Sequence, residues 1–150
     1  MRAADLKRVQ LLAELDEEQR EAIAGELEDL RLDAGCVLFE EGELGEGALF
    51  LLEGCVRLSS SRCAVGVDVG PGAALGVMAL AASGPREARA ETTARSRLLV
   101  LRRSAFRRFC DAEPRAACRL LEALLREIAQ RGREALAFAV PGVDPPADGD

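Results

Sequence analysis

The sequence predicts a mainly β protein in which an antiparallel β-roll, similar in plan to a jelly roll, is flanked by helices. Short apolar runs separated by glycines fill the segment from Leu30 to Leu101, a texture typical of small antiparallel rolls and barrels. Apolar residues recur at helical spacing before and after this segment. We therefore expect about eight short strands within residues 30–101, with helices at both ends.

The segment before the roll carries the start signals of a helix. Asp16 occupies the N-cap position and Gln19 follows three residues later, which is the spacing of a capping box. Four apolar residues then fall roughly on one helical face: Leu15, Ile23, Leu27 and Leu30. These patterns predict a short helix over residues 4–12 and a second helix over residues 17–28.

The strands of the roll are indicated by six apolar runs bounded by turn residues. They read CVLFEEG, GALFLLEG, CVRLSS, AVGVDVG, ARAETT and RLLVL. A seventh run, GVMALAAS at residues 76–83, differs because it contains good helix formers and poor turn residues. We interpret it as one short helix inserted between strands.

The C-terminal third returns to a helical pattern. The run RRSAFRRFC predicts a short helix, and Pro114 suits the first turn of the next one. That longer helix carries one apolar stripe: Leu121, Leu124, Leu125, Ile128, Ala135 and Leu136. We expect residues 1–140 to form one domain and the acidic, Pro/Gly-rich residues 141–150 to form a disordered tail.

Composition argues against enzymatic and metal chemistry. The chain contains no histidine, which excludes a histidine general base, a histidine metal ligand and a histidine-bound haem. The five cysteines are widely spaced without a Cys-x-x-Cys pair: Cys36, Cys55, Cys63, Cys110 and Cys118. We expect no catalytic residue, no metal and no cofactor, and we interpret the cysteines as reduced, small core residues, with a redox role as the alternative.

The charge distribution leaves two interpretations open. The formal net charge of −6 disfavours nonspecific binding to nucleic acid. Acidic residues dominate from Glu14 to Glu53, and arginines dominate from Arg86 to Arg133. The two halves either form ion pairs across the surface of one fold or leave a basic face for an acidic partner.

Membrane and DNA partners are not expected. No apolar run approaches the roughly 20 residues that a membrane helix needs, and the charged N-terminus lacks the apolar segment of a signal peptide. We therefore expect a cytoplasmic protein. About 10 residues follow the long C-terminal helix, too few for a DNA-reading helix-turn-helix.

The order of helix, glycine-punctuated roll with one internal helix, and C-terminal helices resembles the cyclic-nucleotide-binding domain family. The segment DAGCVLFEEGELGEGALFLLEG is similar to the family's first hairpins, with turn glycines at Gly42, Gly45 and Gly54. The segments GPGAALGVMAL and GPREARAETT are similar to the two ends of the family's phosphate-binding cassette, with Gly76 in place. The resemblance covers about residues 6–135 and implies cAMP or cGMP as the candidate ligand.

The resemblance also implies a ligand site. Its residues would be Gly76, Val77, Met78, Ala79, Arg86, Glu87 and Ala88. In the family a short helix presents free N–H groups to the cyclic phosphate, an arginine bonds the phosphate oxygens and a glutamate accepts a bond from the ribose 2′-hydroxyl. Arg86 matches the arginine, but Val77 stands at the glutamate position and Glu87 at a position for a small or hydroxyl residue. We expect Glu87 to pair with Arg89, because residues two apart share one face of a strand.

These departures decide the expected function. An unmade hydrogen bond to a buried hydroxyl costs about 1–3 kcal/mol, and a carboxylate beside a phosphate costs about 1–4 kcal/mol. Together they lower affinity by roughly two to five decades. We expect a regulatory or interaction module with weak or lost cyclic-nucleotide binding, in which Arg86 bonds strand carbonyls. The alternative is a cAMP or cGMP sensor whose C-terminal helices act as a lid and signal to a partner chain.

Two further expectations concern the long helix and the site. The stripe that includes Leu121, Leu125 and Ile128 either packs on the roll of its own chain or binds a protein partner, such as a second copy in a homodimer. If the residues at positions 77 and 87 disable the site, Val77→Glu combined with Glu87→Ser should restore nucleotide binding.

Overall fold

The computed structural model describes residues 3–139, with the backbone alone for residues 4, 63, 64 and 135–139. The helical elements are a 3₁₀ helix (Ala3–Arg8), α1 (Glu17–Ala24), α2 (Met78–Ala81), α3 (Arg103–Ala112) and α4 (Pro114–Ala139). The strands are β1 (Glu28–Leu32), β2 (Val37–Phe39), β3 (Leu44–Gly45), β4 (Gly47–Glu53), β5 (Val56–Ser60), β6 (Cys63–Val69), β7 (Ala74–Leu75), β8 (Gly84–Pro85), β9 (Arg89–Thr92) and β10 (Ser96–Arg102). Across the described range, none of the helices combines the length and the apolar character needed to cross a bilayer.

The strands form two four-stranded antiparallel sheets and one two-stranded ladder. The first sheet has the order β1-β10-β4-β7, and the second has the order β2-β9-β5-β6. The short strands β3 and β8 pair with each other, Leu44 with Pro85 and Gly45 with Gly84. This arrangement confirms the predicted antiparallel β-roll with flanking helices.

Strand β4 of the first sheet is buried on both faces, which explains the unbroken apolar run GALFLLEG. Along β4, Phe50 and Leu52 face the helices, whereas Leu49 and Leu51 face the second sheet. We call the first of these two layers the helix-side core. Its members outside β4 include Leu6, Leu12, Ile23, Leu80, Leu99, Phe106, Phe109 and Leu120.

The capping box predicted at the start of α1 is confirmed. The Gln19 amide donates to Asp16 Oδ1 at 2.8 Å, and the Asp16 amide donates to Gln19 Oε1 at 3.1 Å. The helix ends at Ala24 rather than at residue 28, because the chain enters the first sheet at Glu28. The C-cap is Gly25, a poor helix former, so a local signal for this end was also present in the sequence.

Two other boundaries differ from the sequence-based expectation. The helix predicted over residues 4–12 is a 3₁₀ helix that ends at Arg8 and continues as turns. The described chain has ten strands instead of about eight, because β3, β7 and β8 have only two residues each. Such short pairings leave little trace in the periodicity of a sequence.

Arginines of the C-terminal half form ion pairs with carboxylates of the N-terminal half. The pairs are Arg89–Glu40, Arg97–Asp29, Arg102–Glu28, Arg108–Glu26 and Arg126–Glu14. The hydrogen bond and charge of Arg97 hold the pKa of Asp29 below its ordinary value, against the opposing effect of burial. For these residues the interpretation of paired halves is confirmed.

Three of the four cysteines whose side chains are described are not the core residues that the sequence predicted. Cys36, Cys55 and Cys110 are half-buried and Cys118 is exposed, and all four carry free thiols. Cys110 packs against the helix-side core. Cys36, Cys55 and Cys118 belong to neither core cluster, so the interpretation as small core residues is wrong for these three. The side chain of Cys63 lies outside the described residues.

The apolar positions of α4 divide into two faces instead of one stripe. Leu120 and Leu124 are buried in the helix-side core, whereas Leu121, Leu125 and Ile128 are 38%, 66% and 39% exposed. The side chains of Ala135 and Leu136 and the predicted disordered tail at 141–150 lie outside the described residues. The helix thus packs beside α3 in the helix-side core through one face and leaves other apolar side chains exposed.

Candidate functional site

The segment that carries Arg86 is fastened to the first hairpin of the roll. The Arg86 amide donates to the Glu43 carbonyl at 2.7 Å, and the Gly42 amide donates to the Arg86 carbonyl at 2.8 Å. These bonds extend the ladder between β3 and β8 by one step. The backbone of Arg86 is therefore held at a fixed distance from β3 and β4.

The guanidinium of Arg86 is directed onto main-chain oxygens and an aromatic ring. Its Nη2 donates to the Gly47 carbonyl at 2.8 Å, and its Nη1 donates to the Gly76 carbonyl at 3.3 Å. The guanidinium carbon lies 4.4 Å from the ring centroid of Phe39, within the range of a cation–π contact. This is the structural role that the sequence offered as one interpretation of the arginine.

Two glycines make room for this side chain. At Gly45 an added Cβ would lie 2.9 Å from Arg86 Nε. At Gly76, where φ is +67°, an added Cβ would collide with Arg86 Nη1. Gly45, predicted as a turn residue, instead lies in β3 and forms one wall of the space for the guanidinium. We call the space bounded by Gly45, Gly47, Gly76 and Phe39 the arginine slot.

The carbonyl of Gly76 joins the slot to α2. Besides the bond from Arg86, it accepts a hydrogen bond from the Ala79 amide at 3.2 Å. The Leu80 amide bonds the Val77 carbonyl at 3.1 Å in the same turn. Movement of the guanidinium therefore changes a contact at the start of this four-residue helix.

A cavity of about 330 Å³ opens beside the arginine slot. Five of the seven predicted site residues line it: Gly76, Met78, Ala79, Arg86 and Glu87. Met78 is 56% exposed there, and Pro85 adds a further apolar wall. The volume lies at the lower end of the range for small-molecule sites.

The other two predicted site residues are not part of this lining. Val77 is 6% exposed and belongs to the helix-side core together with Leu80 and Phe106. Ala88 is half-buried next to β9. The side chain at position 77 is thus a core residue.

Charges near the guanidinium partly neutralise it. Burial lowers the pKa of Arg86 from its ordinary value, and the carboxylates of Glu43 and Glu87 act in the opposite direction. Glu87 is exposed and lines the same cavity. An anion that approaches Arg86 from the cavity therefore meets a carboxylate as well as a cation.

The predicted pair between Glu87 and Arg89 does not form. Arg89 donates instead to Glu40 at 3.2 Å and to Glu91 at 2.7 Å. The argument from strand alternation fails because residues 86–88 lie between β8 and β9 and not within a strand. Arg89 is thereby engaged outside the cavity.

Sequence reasoning offered bonds from Arg86 to strand carbonyls without naming them, and the Gly47 carbonyl is one of these. It missed two other contacts of Arg86, the ring of Phe39 and the backbone ladder to Glu43. One signal was present, since Gly45 and Gly47 stand two residues apart beside an apolar strand. Glycine in a strand often marks the close approach of another group.

The class of protein is indicated by the antiparallel roll, the one-turn helix α2 and Arg86, which follows this helix in the chain. The family model described as "Cyclic nucleotide-binding domain" matches residues 29–113, a span that includes α2 and both four-stranded sheets except the first residue of β1. The chain therefore belongs to the cyclic nucleotide-binding domain family.

Particular relatives support this assignment. The chain is 34% identical over 84 residues to the cyclic nucleotide-gated potassium channel mll3241 of Mesorhizobium japonicum, an alignment that covers 56% of this chain and 23% of the channel. The chain thus matches about a quarter of the length of that relative.

Two solved structures are similar over most of their own length. The N-terminal domain of a transcriptional regulator from Streptomyces coelicolor A3(2) has a TM-score of 0.74 and 28% identity, covering 92% of this chain and 99% of that chain. A cyclic nucleotide-binding-like protein from Brucella abortus has a TM-score of 0.62 and 33% identity, covering 73% of this chain and 97% of that chain. Both confirm the predicted fold class.

Proposed function

We propose that this domain is a regulatory or interaction module whose cavity does not bind cAMP or cGMP at micromolar concentrations. The observation that carries the proposal is the engagement of Arg86 with the carbonyls of Gly47 and Gly76. The guanidinium suited to a cyclic phosphate is already hydrogen-bonded within the protein. A ligand has to displace these bonds or use the N–H groups that remain.

The charge beside Arg86 supports the same proposal. Glu87 lines the cavity that a phosphate would enter, and both Glu87 and Glu43 act on the guanidinium. A carboxylate near a phosphate repels it by about 1–4 kcal/mol, depending on screening by solvent. This repulsion lowers the affinity for a cyclic nucleotide by up to roughly three decades.

The position of Val77 supports it further. Its side chain lies in the helix-side core, and the neighbouring Met78 and Ala79 that line the cavity carry no strong acceptor. A ribose hydroxyl buried beside them without a partner costs about 1–3 kcal/mol. The cavity is thus better suited to an apolar group than to a ribose.

The thermal midpoint of unfolding, measured with and without nucleotide, tests the proposal. At about 1 mM ligand, a site with a Kd of about 1 µM stabilises the fold by about 4 kcal/mol, which raises the Tm by about 8–16 °C. A Kd near 1 mM stabilises it by only about 0.4 kcal/mol, or about 1–2 °C. We expect the smaller shift, equal to that with adenosine, which lacks a phosphate. A shift near 10 °C that Arg86→Ala removes would overturn the proposal.

The retained geometry of Arg86 favours a second candidate function, a cAMP or cGMP sensor. Arg86 lines the cavity, and Gly76 stands at the start of α2 as the family requires. In this alternative a phosphate draws the guanidinium out of the slot and breaks its bond to the Gly76 carbonyl. Movement of α2 and of the C-terminal helices then signals to a partner chain. The same unfolding measurement distinguishes the two functions.

The exposed face of α4 is the proposed surface for a protein partner or a second copy. Leu121, Leu125 and Ile128 are spaced four and three residues apart and are all exposed. Residues at this spacing lie on one side of a helix, and α4 is 26 residues long. Packing of this face against its own copy would produce an isologous homodimer.

A further inference from the structure

A second cavity, at the start of α3, is strongly basic. Its volume is about 380 Å³, and it is lined by Glu46, Arg102, Arg103, Ser104 and Arg107. Three guanidinium groups and one carboxylate thus meet here in a chain whose net charge is −6. We call the arginines of this cavity the α3 basic surface. It shares no lining residue with the cavity beside the arginine slot, so an inference about it does not rest on nucleotide binding.

The arginines of this surface differ in their partners. Arg102 pairs with Glu28 at 3.0 Å. Arg103 and Arg107 have no carboxylate oxygen within 4.0 Å among the side chains that the structure describes. They stand four residues apart on α3, where like charges repel each other. An anion that lies between these two guanidinium groups would relieve their repulsion.

We propose that the α3 basic surface docks a short acidic segment of a partner protein. The carboxylates of this segment bind Arg103 and Arg107 through paired N–H···O bonds, the geometry for which a guanidinium is suited. The hydroxyl of Ser104, on the same cavity lining, donates a further hydrogen bond. This is the second interpretation of the uneven charge distribution, now restricted to one end of one helix.

Neighbouring carboxylates limit the size of the partner. Glu46 lines the cavity. Glu28 pairs with Arg102 of the same lining, and Glu26 pairs with Arg108, the residue that follows Arg107. A DNA duplex carries one charge about every 1.7 Å along its axis and would place phosphates against these carboxylates. A short, flexible acidic peptide places two of its carboxylates on Arg103 and Arg107 and can turn the others away from these glutamates, so it fits better than a rigid nucleic-acid duplex.

Binding of a fluorescein-labelled hexaglutamate peptide, followed by fluorescence anisotropy, tests the proposal. We expect the full chain to bind this peptide, and the double variant Arg103→Ala/Arg107→Ala to lose about tenfold or more in affinity. Alanine is a good helix former, so α3 should persist, which circular dichroism verifies.

The matched control removes the same charge from another helix. Arg115 and Arg119 of α4 are exposed, stand four residues apart and have no carboxylate oxygen within 4.0 Å among the described side chains. The variant Arg115→Ala/Arg119→Ala should keep the wild-type affinity within about twofold.

Three outcomes would overturn the proposal. The first is that the wild-type chain does not bind hexaglutamate. The second is that both double variants lose the same affinity, because net charge and not location would then set binding. The third is that a labelled DNA duplex binds more tightly than hexaglutamate and through the same two arginines, which would make nucleic acid the partner.

Discussion

The substitution Gly76→Ala tests the arginine slot with a single methyl group, and two separate energetic terms oppose it. The φ of Gly76 is +67°, a left-handed conformation that costs a residue with a Cβ about 1–2 kcal/mol. The new Cβ would also collide with Nη1 of Arg86. The guanidinium would then have to leave the Gly47 and Gly76 carbonyls and the ring of Phe39.

The displaced contacts set the size of the second term. Hydrogen bonds that involve a charged group contribute about 1.5–3 kcal/mol, and a cation–π contact adds about 0.5–1 kcal/mol. Because Arg86 is half-exposed, its displaced guanidinium would form hydrogen bonds with water. The net loss from the two hydrogen bonds and the cation–π contact is therefore about 2 kcal/mol. The two terms together lower the free energy of unfolding by about 3–4 kcal/mol, which corresponds to a fall in Tm of about 6–16 °C.

Two other glycines serve as controls for Gly76→Ala. Gly35 has a φ of +85° and nothing within 4 Å of an added Cβ, so Gly35→Ala should cost only the conformational term of about 1–2 kcal/mol. Gly84 lines the same cavity, has no positive φ and has nothing within 4 Å. Gly84→Ala should therefore leave the stability unchanged or raise it by up to about 1 kcal/mol.

The collision with Arg86 is isolated by a double-mutant cycle. When Arg86 is already alanine, Gly76→Ala should cost about 1–2 kcal/mol instead of about 3–4 kcal/mol. Urea unfolding followed by circular dichroism yields these free energies. The reasoning is refuted if Gly76→Ala costs no more than Gly35→Ala, or if its cost is the same with and without Arg86.

Three further predictions concern the core, the long helix and an ion pair. Val77→Glu should lower the free energy of unfolding by about 3 kcal/mol or more, because Val77 is 6% exposed and a buried carboxylate is costly. A variant with wild-type stability and a gain in cAMP affinity would contradict this prediction and would support the rescue of binding expected from the sequence. If the wild type is a homodimer, Leu125→Glu, at a position 66% exposed, should sediment as a stable monomer. Leu124→Glu, at a position 6% exposed, should instead unfold the domain. Sedimentation of the wild type as a monomer at high protein concentration would exclude the homodimer. Arg97 holds the pKa of Asp29 below its ordinary value. The stability that this ion pair contributes is therefore present above about pH 4 and is lost as the pH falls through the lowered pKa. Acid titration should therefore destabilise the wild type more than Asp29→Asn, and equal losses would refute this.

The parts of the fold that were predicted from the sequence depend on local chemistry. The capping box at Asp16 and Gln19 uses residues three apart, and apolar periodicity needs only a short window of sequence. The family resemblance then supplied the fold and the candidate role of Arg86. These signals sufficed for the roll, for its flanking helices and for five of the residues that line the cavity.

The parts that were not predicted depend on pairings between distant segments. The arginine slot exists because β3 pairs with β8, which brings Gly45 beside Gly84, and because Phe39 from another strand reaches the guanidinium. The Val77 side chain is buried in the helix-side core because it packs with residues of α3 such as Phe106, which belongs to the same core. None of these contacts leaves a periodic pattern in the sequence.

Isothermal titration calorimetry of the wild-type chain with cAMP and with cGMP tests most directly the claim that Arg86 is engaged within the protein and the cavity is closed to tight nucleotide binding. With protein at about 50 µM, a site with a micromolar Kd saturates at about one equivalent of nucleotide. We expect no saturable heat for either nucleotide up to about 1 mM. Saturation at micromolar concentration with one nucleotide per chain, lost in Arg86→Ala, would contradict the claim and establish a cyclic-nucleotide sensor.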